Sequence, residues 1–308
     1  MTINFFNFFS LRVLIAEKNV SNLIRASTKF MLYSTRTVLK SFVRNMSAAV
    51  PPDAGPGVVP QNLKIVLNKV NTLAGEVNRD VRLVAVSKKK DASYVQAAYD
   101  AGQRHFGENY VQELIEKSKE LESLEEIRWR FIGHLQSNKA NQLVKQCVNL
   151  SCVETVDSEK LANSLQKACV NAERKDTLDV MVQVNTSGEE SKSGVQPGEE
   201  ADGLAKYIFK ECPGLRLVGF MTIGMPDYSG ARMEDFERLQ ACRDTFLKTC
   251  GAPSDGDNAM KLELSMGMSS DYEMAIRSGS DSVRLGTSIF GARPPIPPKE
   301  PATGYPKK

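Results

Sequence analysis

Lys88 closes an almost wholly apolar run that begins at Arg82, and two further lysines, Lys89 and Lys90, follow it at once. Such a run reads as a buried strand, and a strand buried on both faces is expected to carry an ionisable residue only at its end, where the sheet opens to solvent or ligand. An amine there is placed to attack a carbonyl carbon. Far along the chain, two segments have the makings of an anion cradle. Ser265, Gly267 and the run Ser269 to Asp271 precede a short helix, with Ser270 and Glu273 spaced as a capping box that fixes a helix start and its N–H groups. Gly286 and Thr287 let a backbone approach an anion, and Arg284 brings positive charge beside them. A ligand that uses the whole apparatus must carry an aldehyde or ketone at one end and a phosphate at the other.

To bring Lys88 beside these later residues, the intervening chain has to close on itself. Its pattern alternates: strands are expected at 82–88, 105–109, 128–134, 151–156, 178–185, 215–223, 261–266 and 282–285, with amphipathic helices between them. A helix with Leu63, Ile65, Val66, Val70 and Leu73 on one face precedes the first strand, and Asp157 or Ser158 is positioned to cap the helix whose apolar stripe includes Leu161, Leu165 and Cys169. Eight strands with helical connections predict a single (β/α)₈ barrel with an extra N-terminal helix, in which strand eight pairs with strand one and ligands bind at the strands' carboxyl ends. No Gly-x-Gly-x-x-Gly follows strand one, which argues against an open dinucleotide-binding sheet. In the barrel, Lys88 and the cradle become neighbours. Pyridoxal 5′-phosphate (PLP) satisfies the two-ended requirement, and so do the sugar phosphates of lysine-dependent class I aldolases.

The chain has 308 residues and a net charge of +3. That excess belongs to residues 1–45, where Arg12, Lys18, Arg25, Lys29, Arg36, Lys40 and Arg44 stand against Glu17 alone. The remainder is slightly acidic, which gives no reason to expect nucleic-acid binding. This basic, Ser- and Arg-rich leader has the composition of an organelle transit segment, and Met46 offers a second start, so the protein is expected in the mitochondrion, the cytoplasm or both. Residues 46–60 are a Pro/Gly linker, 61–293 the barrel and 294–308 a Pro-rich tail. No apolar run approaches the ~20 residues that span a bilayer. Six cysteines without a Cys-x-x-Cys pair, and only His105 and His134, give no metal-ligand cluster. The two histidines read as oriented core or rim residues, and Trp129 as packing between barrel and helices.

Six stretches in the same order, Val84-Ala-Val-Ser-Lys88, His105-Phe-Gly-Glu-Asn-Tyr-Val-Gln-Glu113, Phe131-Ile-Gly-His-Leu-Gln-Ser-Asn-Lys139, Ser191-Lys-Ser-Gly194, Leu264-Ser-Met-Gly-Met-Ser269 and Val283-Arg-Leu-Gly-Thr-Ser-Ile-Phe-Gly291, resemble the successive motifs of the pyridoxal phosphate homeostasis protein family. That resemblance implies a barrel similar to the N-terminal domain of alanine racemase. It implies that Lys88 forms the aldimine, that Ser265, Gly267, Gly286 and Thr287 meet the phosphate, and that Asn109 and Met221 lie near the ring. Arg284 would face either the phosphate or the pyridine nitrogen. Lys89-Lys90-Asp91 departs from the Thr-Lys-Pro more usual in the family. The racemases carry a second domain with an opposing acid or base, and none is expected after Gly291. The implied role is a monomeric protein that buffers PLP or delivers it to apo-enzymes by transient contact, without turnover. The alternatives are a racemase-like enzyme and a class I aldolase. Lys90, Lys139, Glu189 and Lys192 are expected in loops on the face of Lys88, as a secondary site through which the cofactor leaves.

Overall fold

The computed structural model describes residues 55–189, 193–224, 233–250 and 260–292. The leader, Lys192 and the Pro-rich tail lie outside the described residues. The first helix, α1 (Val59–Glu76), carries Pro60 in its first turn, where a missing N–H costs nothing, and buries Leu63, Val66, Val70 and Leu73 along one face, while Ile65, expected on that face, turns outward and is exposed.

Eight parallel strands then close into a barrel in simple sequence order: β1 (Arg82–Val86), β2 (His105–Glu108), β3 (Arg128–Phe131), β4 (Leu150–Val156), β5 (Leu178–Gln183), β6 (Leu215–Met221), β7 (Glu263–Ser265) and β8 (Ser282–Leu285). Residues 82–85 of β1 pair in parallel with 282–285 of β8, which completes the ring. The connecting helices are α2 (Ala92–Asp100), α3 (Val111–Glu120), α4 (Ala140–Gln146), α5 (Glu159–Asn171), α6 (Glu199–Glu211), α7 (Met233–Thr249) and α8 (Tyr272–Arg277), and α9 (Thr287–Phe290) follows β8. β1, β3, β5 and β6 end two or three residues earlier than the sequence pattern predicts, because the pattern continues into rim turns that no longer pair.

Two periodicities divide the residues. Leu83, Phe106, Trp129, Phe131, Val153, Val180, Phe220, Leu264 and Leu285 join the helices' apolar faces in one cluster outside the barrel. Phe106 and Trp129 rings meet there at 5.8 Å between centroids, so Trp129 packs as expected. The alternate residues point inward. Barrel interiors are usually filled by branched apolar side chains. Here Cys152, Met181 and Met221 form a separate inner cluster, and beside it the interior holds a buried charged network. Arg130 and Glu154 form a buried ion pair. Ser265 Oγ donates to Glu154 Oε2 at 2.6 Å and accepts from Arg284 Nη1 at 2.7 Å, while Arg284 Nη2 donates to the Thr222 carbonyl at 2.7 Å. The expectation that ionisable groups sit only at strand ends is therefore wrong. The reason is mutual satisfaction: a buried charge is tolerated in mid-strand when partners on neighbouring strands supply both counter-charge and hydrogen bonds.

No helix among the described residues is long and apolar enough to cross a membrane.

Candidate functional site

The carboxyl ends of β6, β7, β8, β1 and β2 are consecutive around the ring, and all eight residues expected to hold a ligand lie on them. After β1, the Ser87 N–H donates to the Gly107 carbonyl (3.1 Å) and the Ser87 carbonyl accepts from the Lys90 N–H (3.1 Å), so Ser87 to Lys90 form a tight turn. Lys88 is half-buried in it, in the inward series of Arg82, Val84 and Val86. Lys89 adopts φ 62°, a left-handed conformation that a side chain resists unless something fixes it. Its N–H donates to Glu113 Oε1 at 2.5 Å.

Asn109 follows β2 directly, and its Oδ1 is buried without a hydrogen-bond partner. Gly133 is required beside it: a Cβ there would come within 2.0 Å of the Asn109 carbonyl oxygen. Met221 closes β6 and is buried. The next residue, Thr222, shares a hydroxyl contact with Thr186 at 2.8 Å and accepts the Gly224 N–H at 3.1 Å, tying the loops after β5 and β6 together.

The loops after β7 and β8 are joined as the cradle requires. The Arg284 N–H donates to the Gly267 carbonyl (3.0 Å), and Thr287 Oγ1 contacts Ser269 Oγ (3.3 Å). Gly267 has φ 101°, and a Cβ on it would lie 2.7 Å from that of Ala275, so α8 packs directly on this turn. The Thr287 and Ser288 N–H groups open the short helix α9, where no preceding turn can accept them.

Three expectations are corrected in detail. Ser270 and Glu273 do not form a capping box: α8 starts later, at Tyr272, with Asp271 as its N-cap, and Glu273 pairs instead with Lys69 of α1. Asp271 Oδ1 takes the Met268 N–H at 2.5 Å and so closes the turn from within. Second, the Ser265 hydroxyl is fully buried and committed to Glu154 and Arg284 rather than presented to an open cradle. Third, Lys90 is not an open loop amine: it is 6% exposed, donates to the Ala292 carbonyl at 2.7 Å and lies 5.0 Å from the Tyr94 ring centroid. Lys139 is exposed, and Glu189 accepts the Asn185 amide on its main-chain oxygen at 2.9 Å. Lys90, Lys139 and Glu189 stand after β1, β3 and β5, spread around half the ring. Of the two capping candidates for α5, Ser158 makes the bond, accepting from the Leu161 N–H at 3.3 Å.

Electrostatics separate the interior groups. Burial pushes Glu154 toward neutrality, but Arg130, Arg284 and the Ser265 hydroxyl outweigh it and hold the carboxyl below its ordinary range. Burial lowers Arg284, partly offset by Glu154 and Asp271. His105 is driven down to about 4 by burial and by the nearby Arg130 and Arg82, so it is neutral. His134 is an exposed rim residue, 2.9 Å from Ser193 Oγ and 3.4 Å from Asp157. Sequence reasoning missed Arg130, Glu154 and Thr222 as supports of the site. The first two had a signal, a charge at an inward position between apolar neighbours in Trp129-Arg-Phe131 and Val153-Glu-Thr155; Thr222 acts through its carbonyl, which no pattern marks.

Residues 61–294 match the family of the alanine racemase N-terminal domain. The fold and the family match thus define a barrel of the alanine racemase N-terminal kind. The pyridoxal phosphate homeostasis protein of Caenorhabditis elegans is 49% identical over 224 residues, covering 71% of this chain and 89% of that protein. The human protein of the same name is 44% identical over 241 residues, covering 75% of this chain and 85% of its own. Among solved structures, PipY of Synechococcus elongatus with PLP bound superposes with a TM-score of 0.62 at 28% identity, covering 76% of this chain and all of PipY. The chain belongs to the pyridoxal phosphate homeostasis protein family.

Proposed function

We propose that this protein binds PLP at the rim of β6, β7, β8, β1 and β2 and serves to buffer or deliver it. The observation that carries the reading is a lysine just past β1, the strand that pairs with β8, together with two joined, glycine-containing turns after β7 and β8. The residues present fit the cofactor. Asn109 Oδ1 is a buried acceptor without a partner beside the Lys88 turn, and Gly267 and Gly286 sit where larger side chains would meet Ala275 and the Val86 carbonyl. Lys88 would hold the aldehyde, the Gly267, Gly286 and Thr287 turns the phosphate, and Asn109 and Met221 the ring. Ser265 and Arg284 would act from below: with its guanidinium committed to Thr222 and Ser265, Arg284 is assigned to the ring side rather than to the phosphate.

PLP, when bound, supplies an electron sink for carbanions. Labilising a Cα–H also requires a base held against the substrate. His105 is half-buried at the amino end of β2, away from the rim, and the relatives' name describes homeostasis rather than a reaction. These support a carrier without turnover over the racemase-like and aldolase readings. The test is borohydride reduction of the PLP-loaded protein followed by peptide mapping. The pyridoxyl group is expected on Lys88, and Lys88→Ala should lose the visible absorption band while keeping its fold. Label on a different lysine overturns the assignment.

A further inference from the structure

Beneath the turn that carries Lys88 lies a buried charged cluster that the rim itself does not use. Glu108, the last residue of β2, is fully buried; its Oε1 accepts from Ser87 Oγ (2.6 Å) and from Lys117 Nζ (2.7 Å), and its Oε2 is buried with no hydrogen-bond partner. Lys117, itself buried, also donates to the Ser87 carbonyl (2.8 Å) and to Glu113 Oε1 (2.7 Å). That same Glu113 oxygen receives the strained Lys89 N–H. The residues on either side of Lys88 are therefore both pinned to α3, one through Glu108 and Lys117 and the other through Glu113. Successive side chains alternate across a strand end, so Ser87 and Glu108 face the helix while the residues after them, Lys88 and Asn109, face the rim.

We propose that Glu108 and Lys117, with Glu113, are positioning residues for aldehyde capture: they hold the Ser87–Lys89 turn, and with it the Lys88 amine relative to Asn109, and they do so fully only while Glu108 is ionised. The inference rests on the reading of Lys88 given above. The charged groups facing Glu108 are Lys117 and Glu113, both from α3; Ser87 faces it from the β1 turn, and its neighbour in register on β3 is the uncharged Phe131. A groove of ≈ 530 Å³ lined by Lys89, Lys90, Asp91, Glu113 and Lys117 opens beside the cluster. Burial raises Glu108 to about 7, Lys117 holding it down and Glu113 pushing it further up. Above that pH the carboxylate draws Lys117 and Ser87 together. Below it the proton removes the charge of one of the two carboxylates that fix Lys117.

The experiment is a visible-absorbance titration with PLP across neutral pH, on the full chain, for the unmodified protein, Glu108→Gln and Glu108→Gln/Lys117→Met. Any pH dependence of the capture step itself is shared by all three forms and drops out of the comparison. The unmodified protein should lose about tenfold more than Glu108→Gln between about pH 8 and pH 6, the equivalent of one pKa unit of interaction between the two states. Glu108→Gln should also bind more weakly at the upper end. The double variant replaces a buried pair by neutral groups, a change that folded proteins usually tolerate, and circular dichroism confirms the fold. Parallel pH profiles for all three forms, with reduction still labelling Lys88, overturn the inference and leave the site intact. Failure of the unmodified protein to be labelled at Lys88 at any pH overturns both.

Discussion

Glu154 is the residue whose loss should be felt most widely, because two buried arginines depend on it. Its carboxylate takes Arg130 directly and reaches Arg284 through the Ser265 hydroxyl, at 2.6 Å and 2.7 Å for the two links. Glu154→Gln keeps the volume and one acceptor but removes the charge, leaving two guanidiniums buried in the same barrel. Breaking a buried pair costs about 3–5 kcal/mol, and the acceptor that remains puts the expected loss near the lower figure. For a domain of this size each kcal/mol moves Tm by about 2–4 °C, so the midpoint should fall by about 6–12 °C. The pH dependence has a definite sign. Glu154 has a lowered pKa in the fold, so its stabilisation is complete above the unfolded carboxylate value of about 4.3 and disappears as pH falls through the lower, folded value. The gap between Glu154→Gln and the unmodified protein should therefore be full at neutrality and close only in strong acid. Trp129, the single tryptophan and fully buried, reports the transition by fluorescence. A neutral-pH shift below about 2 °C, or a gap that widens on acidification, would refute the argument that this network carries interior stability.

Gly286→Val should weaken PLP far more than unphosphorylated pyridoxal, because a Cβ there already stands 3.0 Å from the Val86 carbonyl and the rest of the side chain would push the α9 turn away; equal loss for both ligands, measured by equilibrium titration, counts against a phosphate cradle. Gly219→Ala should cost about 3 kcal/mol or more in urea unfolding, since its Cβ would lie 2.0 Å from the Glu263 carbonyl and force β6 off β7; a neutral result would mean the strands have room to part. Incubated with alanine or serine, the loaded protein should show negligible racemisation, decarboxylation or transamination by chiral chromatography, yet should transfer PLP to an apo-enzyme. Turnover that is lost in Lys88→Ala would replace the carrier reading with an enzymatic one.

The barrel was legible in the sequence because each element announces itself locally: an apolar run, a turn, then apolar residues at helical spacing, eight times over. The rim positions of Lys88, Gly267, Gly286 and Thr287 were legible for a related reason, since each lies just past a strand end and the closed topology brings those ends together. What the pattern could not say is which hydroxyl faces a ligand and which charge faces another charge. Ser265 and Thr287 are equivalent as letters. Only the pairing of β7 with β8 turns one inward to Glu154 and leaves the other at the rim against Ser269. Likewise Lys88, Lys89 and Lys90 form a single basic run in the sequence, but the fold half-buries the first in the inward series, strains the second against Glu113 and seats the third beneath Ala292. Local periodicity fixes which residues are buried; the partners of a buried charge come from strands and helices distant in sequence, and only the closed barrel brings them within hydrogen-bond reach.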